Sequence, residues 1–305
     1  MINKIIRYIK KPKLFLLYLD KKNVLRLDDL TYLRLLYEKC VGEKLNIANP
    51  KTFNEKLQWL KLYDRKDIYT IMVDKYEAKK YVADIIGEKY IIPTLGIYNN
   101  FEDIDFSKLP NKFVIKCTHD SGGIAICKDK SNFDIYSTNK KIKKSLKNNY
   151  YYSGREWPYK NVKPRIIVEK YMTDLKFNEL RDYKFFCFNG KVKFFKIDFD
   201  RFVYHRANYF DANGNLLRFG EKVCPPDYQK NLMLPKNLQK MIKLAEVLSE
   251  KIPFVRVDFY EVNNDIYFGE LTFFPNSGFG KFIPEEWDQK IGDMLDISMV
   301  KKDEK

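Results

Sequence analysis

Hydrophobic and polar positions follow two regimes along the chain. Up to about residue 87, apolar residues recur every three or four positions. Thr52 followed by Glu55 reads as a capping box that opens a helix through Phe53, Leu57 and Leu60. Ile68, Met72, Tyr76, Ala83 and Ile86 predict a second helix ending at Gly87. Residues 1–25 mix Ile5, Ile6, Ile9 and the run Leu14–Leu19 with Arg7, Lys10, Lys11 and Lys13. That mixture suits a basic amphipathic helix on an anionic membrane surface, or equally a helix packed on the body with its lysines solvated.

Strands then take over. Tyr90–Tyr98, interrupted by Pro93 and Gly96, predicts an edge strand or two short pieces. Phe113–Cys117 and Ile124–Cys127 flank the polar turn His119-Asp120-Ser121-Gly122-Gly123. A lysine-rich segment, Asn139–Asn149, predicts a solvated helix, and Arg165–Tyr171 another strand. Asn189-Gly190 joins Asp182–Phe188 to Lys191–Ile197, the strongest short-range hairpin signal. Asn213-Gly214 links Tyr204–Phe210 with Leu216–Phe219, and Pro235 precedes a helix with Leu238, Met241, Ile242, Ala245 and Leu248 on one face. A last hairpin pairs Phe254–Tyr260 with Ile266–Leu271 around Asn263-Asn264-Asp265. The expected class is α+β, dominated by antiparallel sheet.

Composition narrows the partners. Within 305 residues, 22 tyrosines and 23 phenylalanines exclude a solvated, disordered chain. The longest apolar run falls well short of the roughly 20 residues of a membrane-spanning helix, and no cleavable leader is evident. A cytoplasmic protein is expected. Five cysteines form no CxxC pair, and two histidines make a zinc site improbable, so any metal should be a hard ion held by carboxylates. A net charge of +15 calls for an anionic partner. Nucleic acid is not expected, because no finger, RRM signature or basic heptad pattern is present.

Chemistry concentrates in the last hairpin. A turn centred near Asn264 sets Asp258 opposite Glu270 and Arg256 opposite Thr272, all on one face. Facing carboxylates need a cation between them, or one must hold a proton. Mg²⁺ with phosphate is one answer; neutralisation by Arg256, or a one-residue slip, are the others. Lys116 and Lys184 sit on interior-looking strands and need anionic partners, unless that face is solvated. The Ser121-Gly122-Gly123 turn offers backbone N–H groups to a phosphate. There is no GxGxxG, GxxxxGK[ST], GxSxG or HExxH. Asp103-Ile104-Asp105 and Asp198-Phe199-Asp200 are DxD triplets, which hold a metal and a sugar nucleotide in some glycosyltransferases, the alternative enzymatic reading. A charge-driven, non-catalytic binding module is the third.

Taken in order, Phe113-Val114-Ile115-Lys116, the His119–Gly123 loop, Val168-Glu169-Lys170-Tyr171, Asp182-Tyr183-Lys184-Phe185, Arg201, Arg256-Val257-Asp258 and the stretch Glu270 to Gly278 resemble the ATP-grasp superfamily. Phe53-Asn54-Glu55-Lys56-Leu57-Gln58, Lys116 to Gly123 and Arg155-Glu156-Trp157-Pro158-Tyr159-Lys160 look like its TupA-like branch, found in teichuronopeptide and surface-polysaccharide biosynthesis. The resemblance runs from about residue 30 to residue 297.

It implies a helical region (1–88), a central lobe with a phosphate loop (89–171) and a C-terminal lobe (172–300), with ATP clasped between the two lobes. Lys116, His119, Ser121, Gly122 and Gly123 would meet the phosphates. Glu169, Lys170 and Tyr171 would line the adenine hinge, and Asp182 the ribose. Lys184, Arg201 and Arg256 would serve catalysis, while Asp258 and Glu270 bind Mg²⁺. Thr272 stands where relatives carry a third ligand, an asparagine; the third position is then left to Thr272 itself, to Asn276 or to water. The implied activity is an ATP- and Mg²⁺-dependent carboxylate–amine ligase working through an acyl phosphate. An anionic or lipid-linked glycan would be the acceptor and an amine or amino acid the donor, with peripheral contact at the inner membrane face. Whether Arg155 to Arg165 binds acceptor or packs internally is open from sequence.

Overall fold

The computed structural model describes residues 12–174, 180–200 and 203–300. Arg201 and the first eleven residues of the N-terminal basic segment lie outside them. Helices α1 (Pro12–Lys21), α2 (Asp29–Cys40), α3 (Phe53–Tyr63), α4 (Asp67–Val73) and α5 (Glu77–Ile86) come first. The capping box is present at α3: Thr52 Oγ1 accepts from the Glu55 N–H, and Glu55 Oε2 accepts from the Thr52 N–H, each at 3.2 Å. The predicted second helix is two, α4 and α5. It breaks at Asp74, whose carboxylate accepts from the N–H of Tyr76 (2.9 Å) and Glu77 (3.4 Å) and so caps α5 from outside.

A four-stranded sheet follows, built from β1 (Thr94–Tyr98), β2 (Phe113–Cys117), β3 (Ile124–Cys127) and, after α6 (Ile135–Leu146) and α7 (Tyr151–Gly154), β4 (Ile166–Lys170). The strands run antiparallel in the order β1-β4-β2-β3, which leaves β1 at an edge as its proline and glycine require. Helix α6 begins earlier than its lysines suggest, capped by Asp134, which accepts from the Ser137 N–H at 2.9 Å. Its inner face, Thr138, Ile142 and Ser145, is buried, so only the lysine face is solvated.

The second sheet has β5 (Asp182–Phe188), β6 (Lys191–Phe199), β7 (Arg206–Asp211) and β8 (Leu216–Leu217). Next come β9 (Gly220–Glu221), α8 (Leu238–Leu248), β10 (Phe254–Val262), β11 (Asp265–Thr272), β12 (Phe282–Ile283) and α9 (Trp287–Asp293). Its order is β11-β10-β5-β6-β7-β8, again antiparallel, while β12 pairs with β9. Helices α2 to α5 share one core with this sheet: Phe53 lies edge-on against Phe254, ring centroids 4.9 Å apart. The N-terminal helices are therefore packed onto the C-terminal lobe. The four-stranded sheet keeps its own core around Phe113, Ile115, Ile142 and Val168. Two cores mean two lobes, with polar side chains gathered where they meet.

Candidate active site

Asp258 pairs with Glu270, and Arg256 with Thr272, across β10 and β11. Arg256 grips Asp258 through two hydrogen bonds of 2.7 Å and extends the same guanidinium to Glu270 (3.1 Å) and the Thr272 hydroxyl (3.0 Å). The four side chains share one face, and Arg256 partly neutralises the acids. Burial nevertheless pushes the Asp258 carboxyl up to about 6, against the opposing pull of Arg256 and Lys184. The hard oxygen donors of Asp258 and Glu270, directly opposed on one face of the sheet, fit a divalent cation such as Mg²⁺. Glu270 behaves differently: burial alone would raise it, but Arg256, Lys75, Lys184 and Lys116 together hold it below the usual range. Its side chain stays 46% exposed, open toward the cleft.

Register carries this face across the sheet. Glu270 is opposite Asp258, Asp258 opposite Lys184, Lys184 opposite Lys196, and Lys196 opposite Tyr209. Lys184 pairs with Asp182 (3.1 Å) and Asp198, while Lys196 reaches Glu221 (3.0 Å) and Asp198 (3.7 Å). Against burial, Lys196 and Lys184 hold Asp198 far below the ordinary carboxylate range. Asn276 donates to Glu221 at 2.5 Å, so the expected third metal ligand belongs to this outer network. Thr272 is the group beside Glu270, at 3.2 Å.

The four-stranded lobe contributes lysines of its own. Glu169 takes Lys79 (2.5 Å) and Lys116 (2.6 Å), one on each oxygen, and its carboxyl falls to about 2 because the two lysines outweigh burial. Its side chain is thus an anchor for two cations; Lys170 ends β4 and Tyr171 follows it, with the Lys170 N–H on the Pro93 carbonyl (3.0 Å). Lys75, placed just ahead of α5, donates to the Asp120 carbonyl and pulls Glu270 down. Lys75 and Lys79 are functional candidates that the sequence reading missed. Lys79 lies on α5 whereas Lys75 precedes it in the turn after α4, so no single helical face announces the two together.

The loop 118–123 is held rigidly. The Asp120 carboxylate accepts from the Gly123 N–H (3.0 Å) and from the Ser145 hydroxyl. His119 is buried, its Nε2 facing the carbonyls of Ser145 and Asn148 (3.1 Å each), so it fastens the loop to the end of α6. A Cβ on Gly123 would meet Ser145 Oγ at 2.4 Å and Cys117 Sγ at 2.6 Å. Ser121 and Gly122 form the exposed tip.

Other expected features have structural roles. Arg155 is buried on Asp20 (2.9 Å) and Asp29 (3.2 Å), 3.9 Å over the Tyr32 ring; Arg165 binds Asp74 (2.7 Å) and Glu77 (2.9 Å). Both guanidiniums are engaged internally. Lys61, fully buried, donates to Gln58 Oε1 (2.9 Å) and to the carbonyls of Gly154 (2.7 Å) and Ser277 (2.8 Å). Burial pulls it down to about 7, opposed by Glu156. The FNEKLQ and GREW strings therefore meet at the Asn276-Ser277-Gly278 turn, whose φ angles of 48°, 54° and 64° are all left-handed. Of the DxD triplets, Asp103 and Asp105 cap the N–H groups of Asn100 and Ser107. Asp198 brings a carboxylate oxygen within 4.8 Å of donor atoms on His205 and Cys224, but it already carries two lysines, whose charge opposes a second cation.

Two antiparallel lobes that set an acid pair against converging lysines define an ATP-grasp architecture. More narrowly, the TupA-like ATP-grasp family profile matches residues 55–296, and the chain belongs to that family. No curated protein matches it. The D-alanine–D-alanine ligase of Bacillus anthracis, solved with ATP, is 17% identical, with 67% of this chain and 54% of that chain covered and a TM-score of 0.38. This chain thus spans about half the length of that ligase. The Helicobacter pylori D-alanine–D-alanine ligase is 14% identical, covering 81% and 70%, with a TM-score of 0.39. The biotin carboxylase domain of Hydrogenobacter thermophilus 2-oxoglutarate carboxylase, solved with MgADP and bicarbonate, is 12% identical over 91% and 61%, with a TM-score of 0.44. Values this low carry no functional argument, and the assignment rests on the family match.

Proposed function

We propose that the protein is an ATP- and Mg²⁺-dependent carboxylate–amine ligase that modifies an acidic surface polysaccharide or its lipid-linked precursor. The observation that carries this reading is the row Glu270–Asp258–Lys184–Lys196 on one sheet face, with Lys75 and Lys116 close enough to shift Glu270. Such a cleft suits a polyphosphate bearing a metal. Asp258 and Glu270 would hold Mg²⁺, which supplies charge neutralisation on phosphate oxygens. Lys116 and Lys184 would neutralise the nucleotide, and the exposed Ser121-Gly122 tip would cover it. Arg256 would offset charge gathering on the transferred phosphoryl group.

The chemistry needs no specialised nucleophile. A substrate carboxylate oxygen attacks the γ-phosphorus, the bond to the bridging oxygen breaks, and ADP departs. The amine nitrogen then attacks the acyl carbon, the carbon–oxygen bond to phosphate breaks, inorganic phosphate leaves, and the nitrogen loses a proton to water. Among the described residues no helix is long and apolar enough to cross a membrane; the positive charge suits an anionic acceptor, and contact with the inner membrane face would be peripheral. The test is a nucleotide-consumption screen with uronic acids and amines that scores ADP against AMP. Acyl-phosphate chemistry requires ADP, and AMP as the product would refute it.

A further inference from the structure

One face of α3 carries three buried polar side chains that the proposed chemistry does not use. Asn54, Gln58 and Lys61 recur at i, i+4 and i+7. Each donates to the backbone just beyond the acid hairpin. Asn54 reaches the Gly280 carbonyl at 2.7 Å, Gln58 the Gly278 carbonyl at 2.6 Å, and Lys61 the Ser277 carbonyl at 2.8 Å. Lys61 donates further to Gln58 Oε1 (2.9 Å) and to the Gly154 carbonyl (2.7 Å), which saturates its ammonium. A buried ammonium is costly, and packing alone would be met by an apolar residue of the same length.

The turn that Lys61 holds is strained. Asn276 and Ser277 have φ angles of 48° and 54°, although neither is glycine. Such a conformation persists only where its surroundings over-determine it. The fit here is close on both sides: a Cβ on Gly278 would collide with Gln58 Nε2, and one on Gly154 with Ser277 Oγ. Asn276 leaves the turn toward the six-stranded sheet and donates to Glu221 Oε1 at 2.5 Å. Glu221 Oε2 accepts from Lys196 at 3.0 Å, and Lys196 stands in the row that ends at Glu270. A path of hydrogen bonds through one turn thus joins α3 to the cationic row.

We propose that Lys61 is a positioning residue for the nucleotide site: it locks the left-handed turn that seats Asn276 on Glu221, and Glu221 fixes where Lys196 meets phosphate. The assignment rests on the proposed function for the nucleotide's place on this row. Calorimetric MgADP affinities of Lys61→Met, Asn276→Ala and the double variant form a cycle. Lys61→Met keeps the length of the side chain, and Asn276 is exposed, so its truncation spares the core. Each single variant should weaken MgADP about tenfold, and the double variant no more than either. The melting temperature should fall in Lys61→Met and hold in Asn276→Ala. Wild-type affinity in a less stable Lys61→Met would reduce the lysine to a structural role. Losses that multiply in the double variant would also overturn the proposal, because Lys61 would then act by another route. Unchanged affinity in Asn276→Ala overturns it even where Lys61→Met fails to fold, since the path runs through that amide. If the wild-type protein binds MgADP and neither variant changes the affinity, the nucleotide site stands and only the role of Lys61 fails. If the wild-type protein binds no MgADP, the nucleotide site fails and the proposal with it.

Discussion

Asp258 and Glu270 face each other only because β11 carries a bulge between them and the turn. Asn263 and Asn264, both with left-handed φ, make a two-residue turn that pairs Val262 with Asp265. Counting back evenly, Asp258 would face Gly269; the register shift beside Asp258 skips Gly269 and sets Glu270 there instead. A Cβ on Gly269 would stand 3.1 Å from the Asp258 carbonyl and 3.1 Å from the Tyr260 ring. Gly269→Val should therefore strain the bulge, costing about 1–3 kcal/mol, and displace Glu270. Mn²⁺ titration checks this: full wild-type affinity would mean that the bulge does not position the acids.

Glu270 should matter to turnover more than to folding, whereas Arg256, which holds the buried Asp258, should matter to both. Arg256→Ala and Glu270→Gln should each lower kcat by on the order of 10²–10³, read as ADP release under saturating MgATP. Near-wild-type rates in both would remove the hairpin from the proposed chemistry.

Asp258 should make cation binding sensitive to mildly acidic pH. Its carboxyl titrates near 6 because burial disfavours the charge, and a protonated acid is a poor ligand. Mn²⁺ affinity should fall roughly tenfold per unit below that value and be flat above pH 7. An affinity unchanged between pH 5 and 7.5 would contradict the assignment.

Glu169 should be a stability residue as well as an anchor. Its carboxyl drops from 4.5 to about 2 under Lys116 and Lys79, with only 6% of the side chain exposed. A depressed carboxylate stabilises above its unfolded value, so the contribution is complete above about pH 4.5 and disappears as pH falls through about 2. The shift corresponds to about 3 kcal/mol. Glu169→Gln should lower the urea midpoint at pH 7 and flatten stability below pH 4.5. An unchanged midpoint would show that the lysines find other partners.

Arg155 supplies the contrasting case. With its guanidinium on Asp20 and Asp29, Arg155→Leu leaves buried acids unpaired and should cost about 3–5 kcal/mol, seen as a lower melting temperature. The KM for any acceptor should not move. A selective rise in acceptor KM with no loss of stability would return Arg155 to the substrate.

Much was legible along the chain, because periodicity, caps and turn chemistry are local. The facing of Asp258 and Glu270 was expected from a turn centred on Asn264, although a two-residue turn plus a bulge is what produces it. The capping box at Thr52, the Asn189-Gly190 hairpin and the edge position of β1 follow from residues within a few positions of one another. Lys184 opposite Lys196 did not, since a bulge beside Phe186 shifts the β5–β6 register and no side chain there announces it. That the His119 ring meets the Ser145 and Asn148 carbonyls was not legible either, because those partners arrive on α6. The pairing of Glu169 with Lys79 was hidden in the same way, since that lysine comes from a separate helix.

By itself the sequence determined the class of fold, the family and the strands that carry the acid pair, all properties of local pattern. Which charges neutralise which was decided by tertiary structure alone. An ion pair depends on distance in space, and Lys75, Lys79 and Glu270 come together only when two separately cored lobes close on one cleft.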